Sequence, residues 1–87
     1  MSEVQPLGQV THYFDRIGVA VVRLWGKLAV GDWVHFYGNV TNFVQQVTSM
    51  QINHQPVEEA FAEDEVAVLV NEKVRKGDWV YPYTATE

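Results

Sequence analysis

The sequence contains no cysteine among its 87 residues. This absence excludes disulfides, thiolate metal sites and a cysteine nucleophile, so the fold has to be stabilised by packing. The three histidines, His12, His35 and His54, lack the close spacing of a metal site, and we predict neither a metal nor a cofactor. No apolar run reaches the roughly 18 residues of a membrane helix, and the first residues do not resemble a signal peptide. We therefore expect a cytoplasmic protein.

Positive charge is also scarce. Six lysines and arginines stand against eleven aspartates and glutamates, which gives a formal net charge of −5. Long-range attraction for phosphate is then missing, which argues against an independent, high-affinity nucleic-acid binder. Lys73, Arg75 and Lys76 form a local basic cluster. We interpret this cluster as a candidate contact for an anion or RNA, with an ordinary solvated turn as the alternative.

A phosphate-binding loop is missing as well. The motif Gly-x-x-x-x-Gly-Lys-Ser/Thr does not occur, because Gly26-Lys27 is followed by Leu28. GTP hydrolysis is therefore excluded, and we predict a protein that is not an enzyme.

The length of the chain suits one hydrophobic core and therefore a single domain. We assign this domain to residues 8–83, between a flexible N-terminal arm (residues 1–7) and a flexible tail (residues 84–87). β-Branched and aromatic runs separated by turn residues predict six strands, at residues 8–13, 17–24, 33–37, 41–54, 65–70 and 78–83. With no amphipathic helix between them, they predict an all-β fold, a six-stranded closed or nearly closed β-barrel.

Local patterns refine this expected barrel. Leu28 and Val30 alternate between two glycine turns, so their side chains should tuck over the core. The apolar phase of residues 41–54 changes near Thr48-Ser49, which predicts a β-bulge within one long strand, with a short helix as the competing interpretation. Strand 65–70 is apolar on both faces, so we expect both faces to be covered.

One pattern occurs twice. Residues 31–34 and residues 77–80 both read glycine, aspartate, tryptophan, valine, and each follows a turn and opens a strand. Alternation sends the valines to the core and the aromatic residues outward. Exposed aromatic side chains are typical anchors of interfaces. We therefore predict a partner-binding surface formed by Trp33, His35, Tyr37, Trp79, Tyr81 and Tyr83; the alternative is that these residues pack on the arm or on each other.

These segments also resemble a known family. The spacing of Gly18 to Gly38, together with residues 62–68 and 76–80, resembles the second domain of translational GTPases such as elongation factor Tu. The segments VGDWVHFYG, TSMQINHQPVEEA and KVRKGDWVY are most similar to short translation elongation factor-like proteins and to the C-terminal domain of the collagenase-like peptidase family of unknown catalytic type. The resemblance covers residues 8–83 and implies the barrel of elongation factor Tu domain 2.

The resemblance also implies a role. In that family the barrel is an accessory module, so we expect a non-enzymatic binding module related to translation or RNA modification, which contacts RNA, the ribosome or transfer RNA. The alternative is a protein-interaction module that docks on a separately encoded enzyme such as a collagenase-like peptidase homologue. One position departs from the family pattern: Glu63 replaces a turn glycine, so either the turn differs or backbone strain is accepted.

Overall fold

The computed structural model describes residues 5–84, and these residues form β-strands and turns without a helix. The strands are β1 (Gly8–Phe14), β2 (Val19–Leu24), β3 (Leu28–Ala29), β4 (Trp33–Tyr37), β5 (Asn42–Gln46), β6 (Met50–Ile52), β7 (Gln55–Pro56), β8 (Glu59–Ala60), β9 (Glu65–Leu69) and β10 (Trp79–Pro82). The all-β expectation is confirmed. Within the described range there is accordingly no helix long and apolar enough to cross a membrane.

Eight of these strands form one antiparallel sheet in the order β5-β4-β10-β1-β2-β9-β6-β7. The sheet curls into a half-barrel, and the small β3-β8 ladder lies apart from it. The predicted six-stranded, closed or nearly closed barrel is therefore wrong, because the sheet has eight strands, is open and ends at β5 and at β7. The predicted strand 41–54 is the reason for the error: its two halves, β5 and β6, lie near opposite ends of the sheet.

The predicted bulge is likewise corrected. Residues 47–49 leave strand geometry altogether, so the change of phase near Thr48-Ser49 marks the crossing from β5 to β6. No helix occurs there. The ladder does contain a register shift, but it lies between Val10 and His12, where β1 pairs with β2. An extra residue on one strand of such a pair bends it and increases its twist, which helps the sheet to curl.

One buried side chain spans the open side of the half-barrel. Gln45 on β5 is only 2% exposed. Its amide nitrogen donates to the carbonyl of Leu69 (3.0 Å) and, at 3.3 Å, to that of Gln46, while its oxygen accepts from the N–H of Asn71 (2.7 Å). A side-chain amide thus joins β5 to the end of β9, where a closed barrel would have a backbone ladder.

The core fills the concave side of the sheet. The inward phase predicted for β4 and β10 is confirmed, since Val34, Phe36 and Val80 are each 1% exposed. Leu28 is buried and Val30 packs on the core, as the alternation in this connection predicts. The buried apolar side chains among the described residues are Val10, Ala20, Val22, Leu24, Leu28, Val34, Phe36, Val47, Met50, Ala60, Val66, Val68, Val70, Val74 and Val80.

Three turns share one construction. Residues 29–32, 61–64 and 75–78 each end in an aspartate whose N–H donates to the carbonyl of the first turn residue and whose carboxylate accepts from the N–H of that residue. The third residue has a positive φ in every case: 102° at Gly31, 96° at Gly77 and 80° at Glu63. The turn at Glu63 therefore keeps its geometry, and the glutamate accepts the strain that glycine avoids.

The ends of the chain are described in part. Residues 1–4 of the predicted arm and residues 85–87 of the predicted tail lie outside the described residues. Leu7, the last residue of the arm, donates its N–H to the carbonyl of Val80 (2.6 Å) and accepts from the N–H of Trp25 (2.8 Å). The backbone at Leu7 is thus tied to β10 and to the end of β2, whereas the flexibility of both termini stays a prediction.

Candidate partner-binding surface

The predicted surface residues lie together on the outer face of two paired strands. In the β4–β10 ladder, Tyr37 is opposite Trp79 and His35 is opposite Tyr81. The N–H of Tyr83 donates to the carbonyl of Trp33 at 3.1 Å, which extends the pairing by one more step. We call the resulting set of three cross-strand pairs the aromatic face; it comprises Trp33, His35, Tyr37, Trp79, Tyr81 and Tyr83.

His35 occupies the centre of the aromatic face. The centroid of its ring lies 5.7 Å from that of Tyr37, edge to face, and 6.4 Å from that of Tyr81. Its Nε2 is 2.6 Å from Oδ1 of Asn42. Because an amide oxygen only accepts hydrogen bonds, Nε2 carries the proton in this contact. The imidazole is thereby oriented, and the aromatic rings around it pack on a fixed support.

The outer residues of the aromatic face remain open to solvent. Trp33 is 44% exposed, Tyr37 48%, Trp79 36% and Tyr83 42%. The alternative that these residues pack on each other is therefore true only in part, because the mutual contacts leave between 36% and 48% of each of these four residues exposed. A contiguous aromatic patch of this kind is uncommon on the surface of soluble monomers and is typical of interaction sites.

Trp25 extends the aromatic face and was missed by the sequence analysis. It is 46% exposed, and its ring centroid lies 5.9 Å from that of Trp79. The signal was available, because Trp25 follows the buried Leu24 at the end of β2 and alternation therefore turns it outward.

The basic cluster lies beside this surface, but its members differ. Arg75 and Lys76 line a depression next to Tyr37 and Trp79, whereas Lys73 is exposed and does not line it. The structure therefore brings two of the three predicted cations to the edge of the aromatic face. We call this depression the turn pocket; its lining residues are Tyr37, Gly38, Asn39, Arg75, Lys76, Gly77, Asp78 and Trp79.

A second apolar surface lies elsewhere on the outside of the sheet. It is a groove that includes Phe14, Ile17, Val19 and Leu69, with Ile17 64% and Leu69 42% exposed. The expectation that the strand at 65–70 is covered on both faces is therefore wrong for the outer face of β9. We call this feature the apolar groove. The alternation of side chains along β9 would identify this groove if the outer face of the strand were not expected to be covered.

The histidines do not form a cluster with other ligand-type residues. The ring of His12 packs against that of Phe14, with the centroids 4.2 Å apart, and His54 has a positive φ of 66° in the turn between β6 and β7. Across residues 5–84, no group of three histidine, aspartate or glutamate side chains is placed to hold a metal ion.

Comparison with known proteins relates the chain to peptidases. No family model matches it. It is 41% identical over 76 residues to an uncharacterized protease of Methanocaldococcus jannaschii and 32% identical over 83 residues to a collagenase of Porphyromonas gingivalis. These alignments include 86% and 93% of the chain but 19% and 23% of the relatives, so the chain spans about a fifth of the length of these curated relatives.

The fold matches a solved domain. The crystal structure of the C-terminal domain of a Geobacillus thermoleovorans protein assigned to the U32 peptidases superposes with a TM-score of 0.86 at 19% identity, over 97% of this chain and 99% of that domain. Its selenomethionine variant gives a TM-score of 0.83 at 21% identity, over 88% and 98% of the two chains. At such identities the likeness establishes the fold.

These matches correct one expectation and support another. The similarity to the C-terminal domain of collagenase-like peptidases is supported, whereas the likeness to domain 2 of elongation factor Tu is not. The characterisation of the chain as translation factor-like is wrong, because the relatives found are a protease and collagenases, and none of these matches supports a role in translation or in RNA binding. The matching solved structure is a separate C-terminal domain. This finding agrees better with an accessory module than with a translation factor.

Proposed function

We propose that this chain is a non-catalytic accessory domain that docks, through its aromatic face, on the catalytic part of a collagenase-like peptidase. The aromatic face carries the proposal. It places six side chains in three cross-strand pairs on one surface, with four of them more than a third exposed. Tryptophan and tyrosine are the residues most enriched among interface hot spots, because each combines a large apolar area with a polar group.

The matched length supports the choice of partner. In the two curated relatives the aligned segment is about a fifth of a longer protease or collagenase, and the matching solved domain is a C-terminal one. A domain of this fold therefore accompanies a larger peptidase chain in these proteins. We expect a surface that binds this larger part to be apolar and aromatic, with side chains held in a fixed orientation, and the aromatic face has these properties.

The test is an affinity capture with the purified chain as bait in a lysate of the source organism, read by mass spectrometry and repeated after nuclease treatment. We expect one collagenase-like peptidase to be recovered in stoichiometric amount, with or without nuclease. Trp33→Gln should weaken its retention by about 30-fold or more, since truncation at an interface hot spot costs about 2 kcal/mol or more.

Phe14→Gln is the matched control. Phe14 is 46% exposed, close to the 44% of Trp33, but it lies in the apolar groove. This variant should retain the peptidase, and both variants should keep the wild-type circular dichroism spectrum. Recovery of RNA-dependent partners alone would refute the proposal, as would loss of the peptidase from Phe14→Gln while Trp33→Gln still binds.

A further inference from the structure

The turn pocket is formed by two turns and two aromatic rings. The turn after β4 contributes Gly38 and Asn39, and the turn before β10 contributes Arg75 and Lys76. Tyr37 and Trp79, which are cross-strand partners, belong both to its lining and to the aromatic face. The depression has a volume of about 520 Å³. Pockets for small ligands commonly have volumes of about 300–1,000 Å³.

Hydrogen bonds fix the base of the turn pocket. Asp78 is 5% exposed; its Oδ2 accepts from the N–H of Arg75 at 2.8 Å, and its own N–H donates to the carbonyl of Arg75 at 3.0 Å. The N–H of Gly77 donates to the carbonyl of Val10 at 2.8 Å. A Cβ atom on Gly38 would collide with the carboxylate of Asp78, so the two turns approach as closely as glycine permits. The basic side chains therefore project from a fixed backbone.

The charge near the turn pocket is opposite to that of the whole protein. Among the described residues the two ion pairs use Arg23 with Glu63 and Lys27 with Glu59. Neither Arg75 nor Lys76 takes part in an ion pair within that range, and both are exposed. The buried carboxylate of Asp78 offsets part of this charge, and its Oδ2 is occupied by the turn. A net positive site remains on a protein of net charge −5.

This contrast between the local and the net charge favours a small anion over a polyanion as the ligand of the turn pocket. A polyanion such as RNA carries charges along its whole length and meets the acidic remainder of the surface, which repels it. A single carboxylate responds mainly to charges within the Debye length of about 8 Å at physiological salt. It can also be held at the edge of the aromatic face while the residues next to it pack on that face.

We infer that the turn pocket binds a glutamate or aspartate side chain of the docked partner, held by Arg75 and Lys76. This inference deepens the docking proposal and rests on it for the identity of the partner, although the pocket can be tested alone. Arginine supplies the paired N–H donors that match a carboxylate, and lysine adds a charge. The partner segment is thus an acidic residue next to apolar ones.

The test is a titration of the isotope-labelled chain, followed by amide chemical shifts, with the blocked dipeptide acetyl-Glu-Glu-amide. Shifts should concentrate at Gly38 and Gly77, and acetyl-Gln-Gln-amide should produce none there. Lys76→Gln should weaken binding by about two- to five-fold, the effect of one exposed ion pair. Lys73→Gln removes the same charge three residues away, outside the pocket, and should change the affinity by less than that. Arg75→Gln with Lys76→Gln should abolish the shifts.

The inference is overturned if the acidic dipeptide produces no shifts at these glycines, if Lys73→Gln and Lys76→Gln have equal effects, or if oligouridine binds more tightly than the dipeptide at 150 mM salt. Inorganic phosphate is titrated as well, and a preference for it over the dipeptide would also overturn the assignment to a carboxylate. If the shifts fail while the peptidase is still captured through Trp33, the pocket claim falls and the docking proposal stands. If the shifts appear but no peptidase is captured, the docking proposal falls and the pocket claim stands.

Discussion

We predict that the substitution Gln45→Glu destabilises the fold. It replaces the nitrogen of the side-chain amide that spans the open side of the half-barrel by an oxygen. Asn71 would still find an acceptor, because a carboxylate oxygen takes the place of the amide oxygen it now meets at 2.7 Å. The carbonyl of Leu69 would lose its donor at 3.0 Å and face a negative oxygen instead. Since the side chain is 2% exposed, water cannot solvate the new charge. The folded state should therefore prefer the protonated form of the introduced carboxyl.

The expected loss follows from the pKa of that carboxyl. Burial and the facing carbonyl both raise it above the unfolded value of about 4.3, and shifts of about 2–3 units are ordinary for buried carboxyls. At about 1.4 kcal/mol per unit, and with the carboxyl only partly ionised in the folded state, the variant should be about 2.5–3.5 kcal/mol less stable than the wild type at pH 7. Below about pH 4 the introduced carboxyl is protonated in both the folded and the unfolded state, so its ionisation no longer costs stability. The deficit should therefore shrink as the pH falls from about 7 to 4 and nearly vanish below 4.

Urea denaturation at intervals between pH 3.5 and pH 8 measures this deficit. Two variants serve as controls. Gln46→Glu introduces the same charge on the exposed neighbour, whose amide donates to the carbonyl of Gly31, and should show a small and nearly flat deficit. Gln45→Leu should lose stability by an amount independent of pH, because it leaves Asn71 and Leu69 unpaired without adding a charge. If Gln45→Glu matches Gln46→Glu across the range, the buried amide does not hold the open side together.

Two further predictions concern the turns. Glu63→Gly should be about 1 kcal/mol more stable than Glu63→Ala in thermal unfolding, because both remove the 3.3 Å contact with Arg23 but only glycine relieves the positive φ of 80°; equal stability would mean that this turn is not strained. Gly38→Ala should cost about 1–3 kcal/mol, since its Cβ would displace the carboxylate of Asp78 from its backbone donor. Asn39→Ala, in the same turn, should cost well under that in the same urea titration.

The aromatic face could be predicted from the sequence because its cause is local. Strand alternation fixes which side chains of β4 point inward, and Val34 and Phe36 identify the buried side without knowledge of any other strand. The repeated Gly-Asp-Trp-Val pattern then places the second strand in the same phase. What the pattern leaves open is the pairing itself, which puts Tyr37 opposite Trp79 and depends on the whole sheet.

The topology could not be read in the same way. Strands β3, β7 and β8 have two residues each, too few to show a period. The segments that became β5 and β6 are separated by three residues, yet β6 pairs with β9 far across the sheet. A change of apolar phase looks the same whether a strand bulges or ends, because it records only which face is buried. Contacts between residues distant in sequence decide between these outcomes, and here Gln45 makes such contacts with Leu69 and Asn71.

The two exposed surfaces differ in a way that favours the aromatic face as the docking site. The apolar groove presents mainly hydrocarbon from Phe14, Ile17 and Leu69, and leucine is under-represented among hot spots. Tryptophan and tyrosine on the aromatic face bring N–H and O–H groups that stay satisfied by water when the surface is open and by a partner when it is covered. Non-obligate interfaces have this mixed character, with aromatic residues and arginine enriched. Arg75 completes that composition at the edge of the aromatic face, whereas the lining of the apolar groove contains no lysine or arginine.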